Sequence, residues 1–210
     1  MILYCVRHGE STYNAEGRVQ GQSDVPLSPL GLRQGAALAE TLRAKGIEAV
    51  FTSPLRRAYQ TAELAAAAAK CPIFVDHDLK EIHAGIFQDQ LRRDLEAARP
   101  DEYRRWIGGD MDYTIPGGES RRQLAERGVA ALRRIAAAPY QKAAVIAHGR
   151  IFTVTFSALM PHEAHRIPRA LQNASITTLE ADAATGEFRL LSVNETDHLQ
   201  TVGLSGCGDL

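Results

Sequence analysis

Strand-like apolar runs alternate with helix-like segments through the first part of this chain. The run MILYCV is nearly continuous in apolar character and rich in strand formers, which predicts a buried, central strand of a parallel sheet. AVFTS and CPIFVDHDL predict two further strands, and the segments between them, SPLGLRQGAALAETLRAKG and PLRRAYQTAELAAAAAK, predict helices. Strands that alternate with crossover helices are typical of α/β proteins. We therefore expect a three-layer sandwich with a mostly parallel central sheet flanked by helices.

The second half of the chain is irregular before the same pattern returns. Residues 82–120 break into short helical pieces and the loop IPGGES, which predicts a lid-like excursion. RRQLAERGVAALRRIAAA predicts an amphipathic helix with arginines on its solvent side, and KAAVIAHG predicts a buried strand. RIFTVTFSALM predicts a helix, although its composition leaves a strand open, and SITTLEA with EFRLLSV predicts a closing hairpin.

Length, charge and cysteine content restrict the class of protein. A chain of 210 residues, 45% hydrophobic and 23% charged, suits one domain, which we place at residues 1–200, with a flexible tail at 201–210. The formal net charge of −1 is evenly mixed, so we expect neither nucleic acid nor a membrane as partner. Three scattered cysteines and the lack of a run of about eighteen apolar residues predict a cytoplasmic protein. A homodimer is compatible with this composition.

Two of the predicted strands end in the same dipeptide, His-Gly. His8 follows the first strand, and His148 follows the strand that ends at Ala147. Because ligands of open parallel sheets bind outside the carboxyl ends of the strands, both histidines should face one crevice. Either histidine alone is more simply interpreted as structural, whereas the matched pair favours a functional site.

Arginines and a glutamate follow other strand ends. Arg7 directly follows the first strand, and Arg56 lies near a helix start after the next strand. The planar donors of arginine match two oxygens of a phosphate, and the N–H groups of a helix start strengthen such a site. The simpler interpretation is that Arg57 is solvated and that Glu81, after the third strand, is an exposed loop residue. Glu81 has a chemical role only if the reaction requires a group of the substrate to be protonated.

These residues lie within an ordered series of motifs. The series is RHGESTYNAEGRVQGQSDVPLSPLGLRQG, TSPLRRAYQTAE, LKEIHAG, PGGES, VIAHG and NASITTLE. In order and approximate spacing it resembles the histidine phosphatase superfamily, in the branch that includes the cofactor-dependent phosphoglycerate mutases. The resemblance extends from residue 2 to about residue 195. An isolated RHG tripeptide would be weak evidence for this resemblance, whereas the ordered series of motifs is specific evidence.

The resemblance implies a phosphohistidine mechanism. His8 resembles the nucleophile of the family, and Glu81 resembles the general acid that protonates the leaving oxygen and then activates water. Arg7, Arg56 and His148 resemble the residues that bind the phosphoryl oxygens. The positions that resemble the lining of the phosphate pocket are Asn14, Gln20, Gly21 and Gly149.

Elementary chemistry agrees with these roles. A histidine with an ordinary pKa of about 6.5 is largely neutral at pH 7, so one ring nitrogen has a lone pair for attack. The other nitrogen must be held as a donor, and we expect a backbone carbonyl of the Arg7–Glu10 turn to accept from it. Two arginines and a second histidine can offset the charge of a phosphoryl group without a metal. The sequence contains no HxxxH pair or acidic triad, so we expect neither a metal ion nor another cofactor.

The sequence departs from the family pattern at two places. Gln88 replaces a carboxylate, and Arg150 follows His-Gly where relatives usually have glycine. Solvent exposure is the simpler interpretation of Arg150, and a substrate contact is the alternative. His83 stands two places after Glu81 and is either a substrate-facing or a rim residue.

The type of reaction is predicted from the excursion. Mutase members have a longer, proline-rich excursion with basic residues that retain a bisphosphorylated intermediate, whereas DYTIPGGES resembles the phosphatase members. We therefore predict a phosphomonoesterase acting on a small phosphorylated metabolite, with a phosphoglycerate mutase as the alternative. A non-catalytic phosphate-binding regulatory module is an alternative of another class, and the presence of His8 and Glu81 disfavours it. The motifs GxGxxG, for a nucleotide-binding oxidoreductase, and GxxxxGK[ST], for a nucleotide triphosphatase, are absent.

Overall fold

The computed structural model describes residues 1–204, which form six strands and seven α-helices. The strands are β1 (Ile2–Arg7), β2 (Ala49–Thr52), β3 (Ile73–Val75), β4 (Lys142–Ala147), β5 (Ile176–Ala181) and β6 (Phe188–Glu195). The helices are α1 (Thr12–Glu16), α2 (Pro29–Lys45), α3 (Arg56–Ala69), α4 (Arg92–Ala98), α5 (Pro100–Ile107), α6 (Arg121–Ala136) and α7 (Gly149–Leu159). Short 3₁₀ turns cover His77–Leu79, Gly85–Phe87, Pro161–Arg166 and Asp197–Leu199.

All six strands belong to one sheet, in the order β3-β2-β4-β1-β5-β6. The pairs β3–β2, β2–β4 and β4–β1 are parallel, whereas β5 pairs antiparallel with both β1 and β6. The expected mostly parallel sheet and the closing hairpin are both confirmed. The carboxyl ends of four parallel strands therefore lie at one edge of the sheet, where ligands of this architecture bind.

Helices cover both faces of the sheet. Along β1, Leu3 and Cys5 belong to a buried cluster with residues of α6 and α7, and Tyr4 and Val6 belong to a second cluster with residues of α2 and α3. Successive side chains of a strand point to opposite faces, so this apolar run supplies both clusters. The three-layer architecture is confirmed.

Local sequence signals fix the ends of the long helices. The Ser28 hydroxyl accepts from the N–H of Gly31 at the start of α2, and Gly46 ends that helix with a left-handed backbone, at φ 74°. RIFTVTFSALM forms α7 rather than a strand. Its Phe152 and Phe156 lie one turn apart and stack with ring centroids 5.2 Å apart, so its apolar residues share one buried helix face.

The excursion of residues 82–120 packs onto the body of the protein. It contains α4 and α5, of seven and eight residues. Trp106 of α5 stacks on Phe87 with ring centroids 4.9 Å apart, and both side chains are buried. Aromatic pairs of this kind stabilise packing beyond the area that they bury. The excursion is thus held in place by a defined contact, and its movement as a lid stays a prediction.

Other expectations concern the tail and the cysteines. Within the described residues, Cys5 and Cys71 are free thiols, and no helix has the length and apolar character needed to cross a membrane. Cys207 and most of the predicted flexible tail, residues 205–210, lie outside the described part of the chain.

Candidate active site

The two His-Gly dipeptides meet at the carboxyl edge of the sheet. His8 follows β1 and His148 follows β4, and their ring centroids lie 5.1 Å apart at an interplanar angle of 61°. Both side chains are almost fully buried. The structure therefore brings together the two histidines that the sequence placed in one crevice.

Hydrogen bonds fix the orientation of the His8 ring. Its Nδ1 lies 2.6 Å from the carbonyl oxygen of Gly9, and its Nε2 lies 3.2 Å from Nε of Arg57. Because the carbonyl can only accept and the guanidinium can only donate, these contacts assign the ring proton to Nδ1 and a lone pair to Nε2. The backbone is held too, since Asn173 Nδ2 donates to the His8 carbonyl at 3.0 Å and Gly9 N–H donates to Thr61 Oγ1 at 3.2 Å.

The sequence predicts that Arg56 lies beside the two histidines, but the structure places the next residue there. Arg57, not Arg56, lies beside His8, and it is fully buried. Its guanidinium also donates to the carbonyl oxygens of Ser23 and Gly21, each at 2.8 Å. Arg56 is exposed, and its backbone N–H donates to Asp24 Oδ1 at 2.7 Å. Neighbouring residues of a helix point about 100° apart, so only one of the two can face the crevice.

His148 is kept neutral by its surroundings. Its Nε2 lies 2.8 Å from Ser53 Oγ, just after β2. Burial lowers the pKa of His148 well below its usual range, and the positive charge of Arg57 is the next cause, with further contributions from other nearby groups. One of these groups is Arg7, which is fully buried at the end of β1 and donates to the carbonyl oxygen of Leu171.

Glu81 lies on the N-terminus of α7. Its Oε1 accepts from the N–H groups of Ile82 at 2.9 Å and Ile151 at 3.0 Å, and its Oε2 accepts from the N–H of Arg150 at 2.9 Å. The first N–H groups of a helix have no partner within the helix, and the helix dipole favours an acidic side chain there. The carboxyl group is therefore held in a defined position, with 8% of the residue exposed.

Arg127 holds the segment that carries Glu81, and the sequence did not indicate this role. Its guanidinium donates to the carbonyl oxygens of Asp78, Lys80 and Glu81, at 2.7, 2.5 and 2.9 Å. It also pairs with Glu119 Oε1 at 2.7 Å. The arginines of α6 were expected to be solvated, whereas Arg127 is half-buried.

A small cavity joins these groups. It has a volume of about 30 Å³, close to the share of one liquid water, and is lined by His8, Gln20, Gly21, Arg57, Glu81 and Arg150 together with Val19, Ile82, Arg92 and Trp106. Arg92 belongs to α4 and Trp106 to α5, so the excursion covers the cavity. The sequence predicted a covering segment but not these two side chains.

The remaining predicted positions have different surroundings. Gln20 and Gly21 line the cavity, and Gly149 is buried as the first residue of α7. Asn14 does not line it: its Oδ1 accepts from Ser11 at the start of α1 and from Asn173 at 3.2 Å. His83 is exposed at the rim, where its Nδ1 accepts from the N–H of Gly85.

Taken together, the site suits an oxyanion. The guanidinium of Arg57 faces the same cavity as the lone pair of His8, and Arg92 and Arg150 also line that cavity. A fixed donor such as Arg57 offsets charge that develops on phosphoryl oxygens. Among residues 1–204, no three His, Cys, Asp or Glu side chains come together in a group that could hold a metal ion.

Comparison with known proteins agrees with the motifs and the geometry. Residues 3–196 match the sequence profile of the histidine phosphatase superfamily, branch 1. The chain belongs to the histidine phosphatase superfamily. Among curated relatives, the probable phosphoglycerate mutase GpmB of Proteus mirabilis is 35% identical over 181 residues, which is 85% of this chain and 84% of the relative. The GpmB of Salmonella typhi is 33% identical over 208 residues and 96% of each chain.

Solved structures of the superfamily share the fold. A mycobacterial glucosyl-3-phosphoglycerate phosphatase in complex with VO3 aligns with a TM-score of 0.83 and 30% identity, over 93% of this chain and 99% of that one. YhfR of Bacillus stearothermophilus aligns with a TM-score of 0.86 and 26% identity, over 95% and 99%. The resemblance found in the motifs is confirmed, and the superfamily relatives include proteins named as phosphatases and as probable mutases.

Proposed function

We propose that the protein is a metal-independent phosphomonoesterase that acts on a small phosphorylated metabolite through a phosphohistidine. The observation that carries the proposal is the orientation of the His8 ring. Its Nδ1 is held by the Gly9 carbonyl, and its Nε2 is turned to Arg57 in the cavity that Glu81 also lines. A lone pair next to a fixed cation and a carboxyl group is the arrangement that in-line attack on a phosphate monoester requires.

In the first half-reaction, His8 Nε2 attacks phosphorus and the bond from phosphorus to the leaving oxygen breaks. Glu81 gives that oxygen a proton, and Arg57 offsets the charge of the phosphoryl oxygens. His148 is neutral, and its Nδ1 has no hydrogen-bond partner among residues 1–204. With Nε2 accepting from the Ser53 hydroxyl, this Nδ1 carries the proton and donates it as a hydrogen bond to a phosphoryl oxygen.

In the second half-reaction, water attacks the phosphohistidine and the phosphorus–nitrogen bond breaks. The Glu81 carboxylate takes a proton from the attacking water, and inorganic phosphate leaves with His8 restored. The three backbone N–H groups around Glu81 hold its carboxyl in one place for both proton transfers.

Phosphoglycerate mutase activity is the second candidate. It is favoured by 35% identity to the probable mutase of Proteus mirabilis. Hydrolysis is favoured by the excursion, whose two helices have only seven and eight residues, and by 30% identity to a mycobacterial glucosyl-3-phosphoglycerate phosphatase. We place hydrolysis first because retention of a bisphosphorylated intermediate requires a more extensive cover.

The test is phosphate release from a panel of phosphomonoesters, including 3-phosphoglycerate, at several pH values with a chelator present. We expect release that the chelator does not reduce, loss of release in His8→Ala, and retention in His83→Ala, which removes an exposed histidine outside the cavity. Conversion of 3-phosphoglycerate to its 2-isomer without release would assign a mutase. Release that survives in His8→Ala would contradict the phosphohistidine mechanism.

A further inference from the structure

A larger groove lies beside the small cavity. Its volume is about 760 Å³, within the range of small-molecule sites. Apolar side chains that include Ile107, Met111 and Val154 form part of its wall. Three arginines also line it, namely Arg121, Arg150 and Arg169, and none of its described lining residues is acidic. The groove therefore combines an apolar wall with concentrated positive charge.

Arg150 connects the groove to the site of chemistry. It lines both the groove and the small cavity, and its backbone N–H donates to Glu81 Oε2 at 2.9 Å. A general acid lies next to the oxygen that it protonates, so the leaving group of a phosphomonoester begins at Glu81. Because Arg150 lines both spaces, a leaving group that extends from Glu81 past Arg150 would enter the groove.

Two of the groove's arginines, Arg121 and Arg150, lie near each other. Arg121 donates to the carbonyl oxygen of Trp106 at 2.6 Å, which holds its guanidinium at the groove wall. Burial, followed by the positive charge of Arg150, lowers the pKa of Arg121 to about 10, and Asp110 opposes this effect. Two cations at one groove repel each other, and a bound anion relieves the repulsion.

We propose that the groove binds the leaving group of the substrate and that Arg150, with Arg121, selects a leaving group that carries a second anion. The substrate class is a phosphomonoester whose alcohol has an apolar body and an anionic group at its far end. This inference rests on the proposed phosphatase function. It assigns a specificity role to an arginine at the position where the family motif usually continues with glycine.

The experiment compares two esters that differ only in that charge. They are the phosphate monoesters of para-hydroxyphenylpropionate and of its primary amide, whose phenols leave with nearly equal ease. We expect kcat/KM to be about 10- to 100-fold higher for the carboxylate, the range of a charge-assisted hydrogen bond. High salt should reduce this ratio because it screens the charges.

Two variants test whether Arg150 causes the preference for the carboxylate ester. Arg150→Gln should lower the carboxylate-to-amide ratio towards one. Arg122→Gln is the matched control: Arg122 neighbours Arg121 on α6 but is exposed and pairs with Asp112 outside the groove, so the ratio should stay as in the wild type. Product inhibition of the wild-type enzyme gives an independent readout, with para-hydroxyphenylpropionate expected to bind about tenfold more tightly than its amide.

The outcomes separate this inference from the function on which it rests. Equal kcat/KM for the two esters in the wild type overturns the inference and leaves the phosphatase assignment standing. Equal loss on both esters in Arg150→Gln also overturns it, because Arg150 would then act on the transferred phosphoryl group. Failure to release phosphate from these esters and from every other phosphomonoester overturns the proposed function itself.

Discussion

Two adjacent arginines at the start of α3 have opposite surroundings. Arg57 is fully buried and donates to His8 Nε2, whereas Arg56 is exposed. A buried guanidinium is retained only where other groups compensate it, and here two backbone carbonyls and the histidine lone pair accept from it. The pair offers a matched test of which arginine stabilises the phosphoryl group.

We expect Arg57→Gln to lower kcat by about 10²- to 10³-fold, the loss seen when one fixed donor to a transition-state oxyanion is removed. Arg56→Gln should leave kcat close to that of the wild type, because its side chain is exposed and does not line the cavity. Steady-state hydrolysis of p-nitrophenyl phosphate measures both. A larger loss in Arg56→Gln than in Arg57→Gln would reverse the assignment.

The carboxyl of Glu81 permits a second test at the residue scale. Glu81→Gln keeps the shape of the side chain and an oxygen that can accept from α7, but it removes the acidic proton of the carboxyl group. We expect kcat to fall by about 10²- to 10⁴-fold for an alkyl phosphate, whose alkoxide needs a proton. For p-nitrophenyl phosphate the fall should be smaller, because the phenolate leaves without help. Equal losses on the two substrates would argue against Glu81 as the acid.

At the scale of the elements, α6 and α7 approach each other through Gly128. A Cβ added at Gly128 would lie 2.0 Å from Thr155 Oγ1 and 3.2 Å from Ile151 Cγ1, both on α7. The same helix presents the N–H groups that hold Glu81. Close packing of these two helices therefore contributes to the position of the general acid.

We expect Gly128→Ala to destabilise the protein. Alanine favours a helix by about 1 kcal/mol relative to glycine, but overpacking a close contact costs about 1–3 kcal/mol, and 2.0 Å is too short for the contact to survive without movement. Urea unfolding of Gly128→Ala should give a net loss of up to about 2 kcal/mol. The same substitution in a Thr155→Ala background should cost less, and equal costs in both backgrounds would exclude this contact as the cause.

The elements also show what the sequence can predict. Strand order along the chain, the caps of α2 and the convergence of His8 with His148 follow from local apolar runs, Ser28, Gly46 and the two His-Gly dipeptides. These signals are local or follow from the polarity of a parallel sheet.

Other features depend on contacts between distant segments. Whether Arg56 or Arg57 faces the site depends on how α3 is rotated about its axis. That rotation depends on the residue at which the helix begins, and the motif TSPLRRAYQTAE does not specify it. The bonds from Arg127 to the Glu81 segment and the cover formed by Arg92 and Trp106 join separate parts of the chain. The periodicity of apolar residues does not predict these contacts between distant segments.

At the scale of the whole molecule, the parallel part of the sheet gathers buried cations at one edge. Arg7 and Arg57 are both fully buried there, and their charges, after burial itself, contribute to lowering the pKa of His148. A neutral His148 in the folded protein differs from the unfolded chain, where the histidine titrates near 6.5. This difference links the stability of the fold to pH.

We expect stability to decrease as the pH falls below about 6.5. There the unfolded chain takes up a proton on His148 that the folded protein does not, so the unfolded state binds more protons and is favoured. His198, whose pKa burial also lowers, adds in the same direction. For His148 the effect reaches at most about 1.4 kcal/mol per pH unit until His148 is also protonated in the folded protein.

The measurement is urea unfolding of the wild type and of His148→Gln between pH 5 and pH 7. The buffer contains no phosphate, because a bound anion would add stability. The glutamine variant lacks this titration, so its stability should fall less steeply with decreasing pH. Parallel curves for the two proteins would show that His148 is protonated in the folded state as readily as in the unfolded chain.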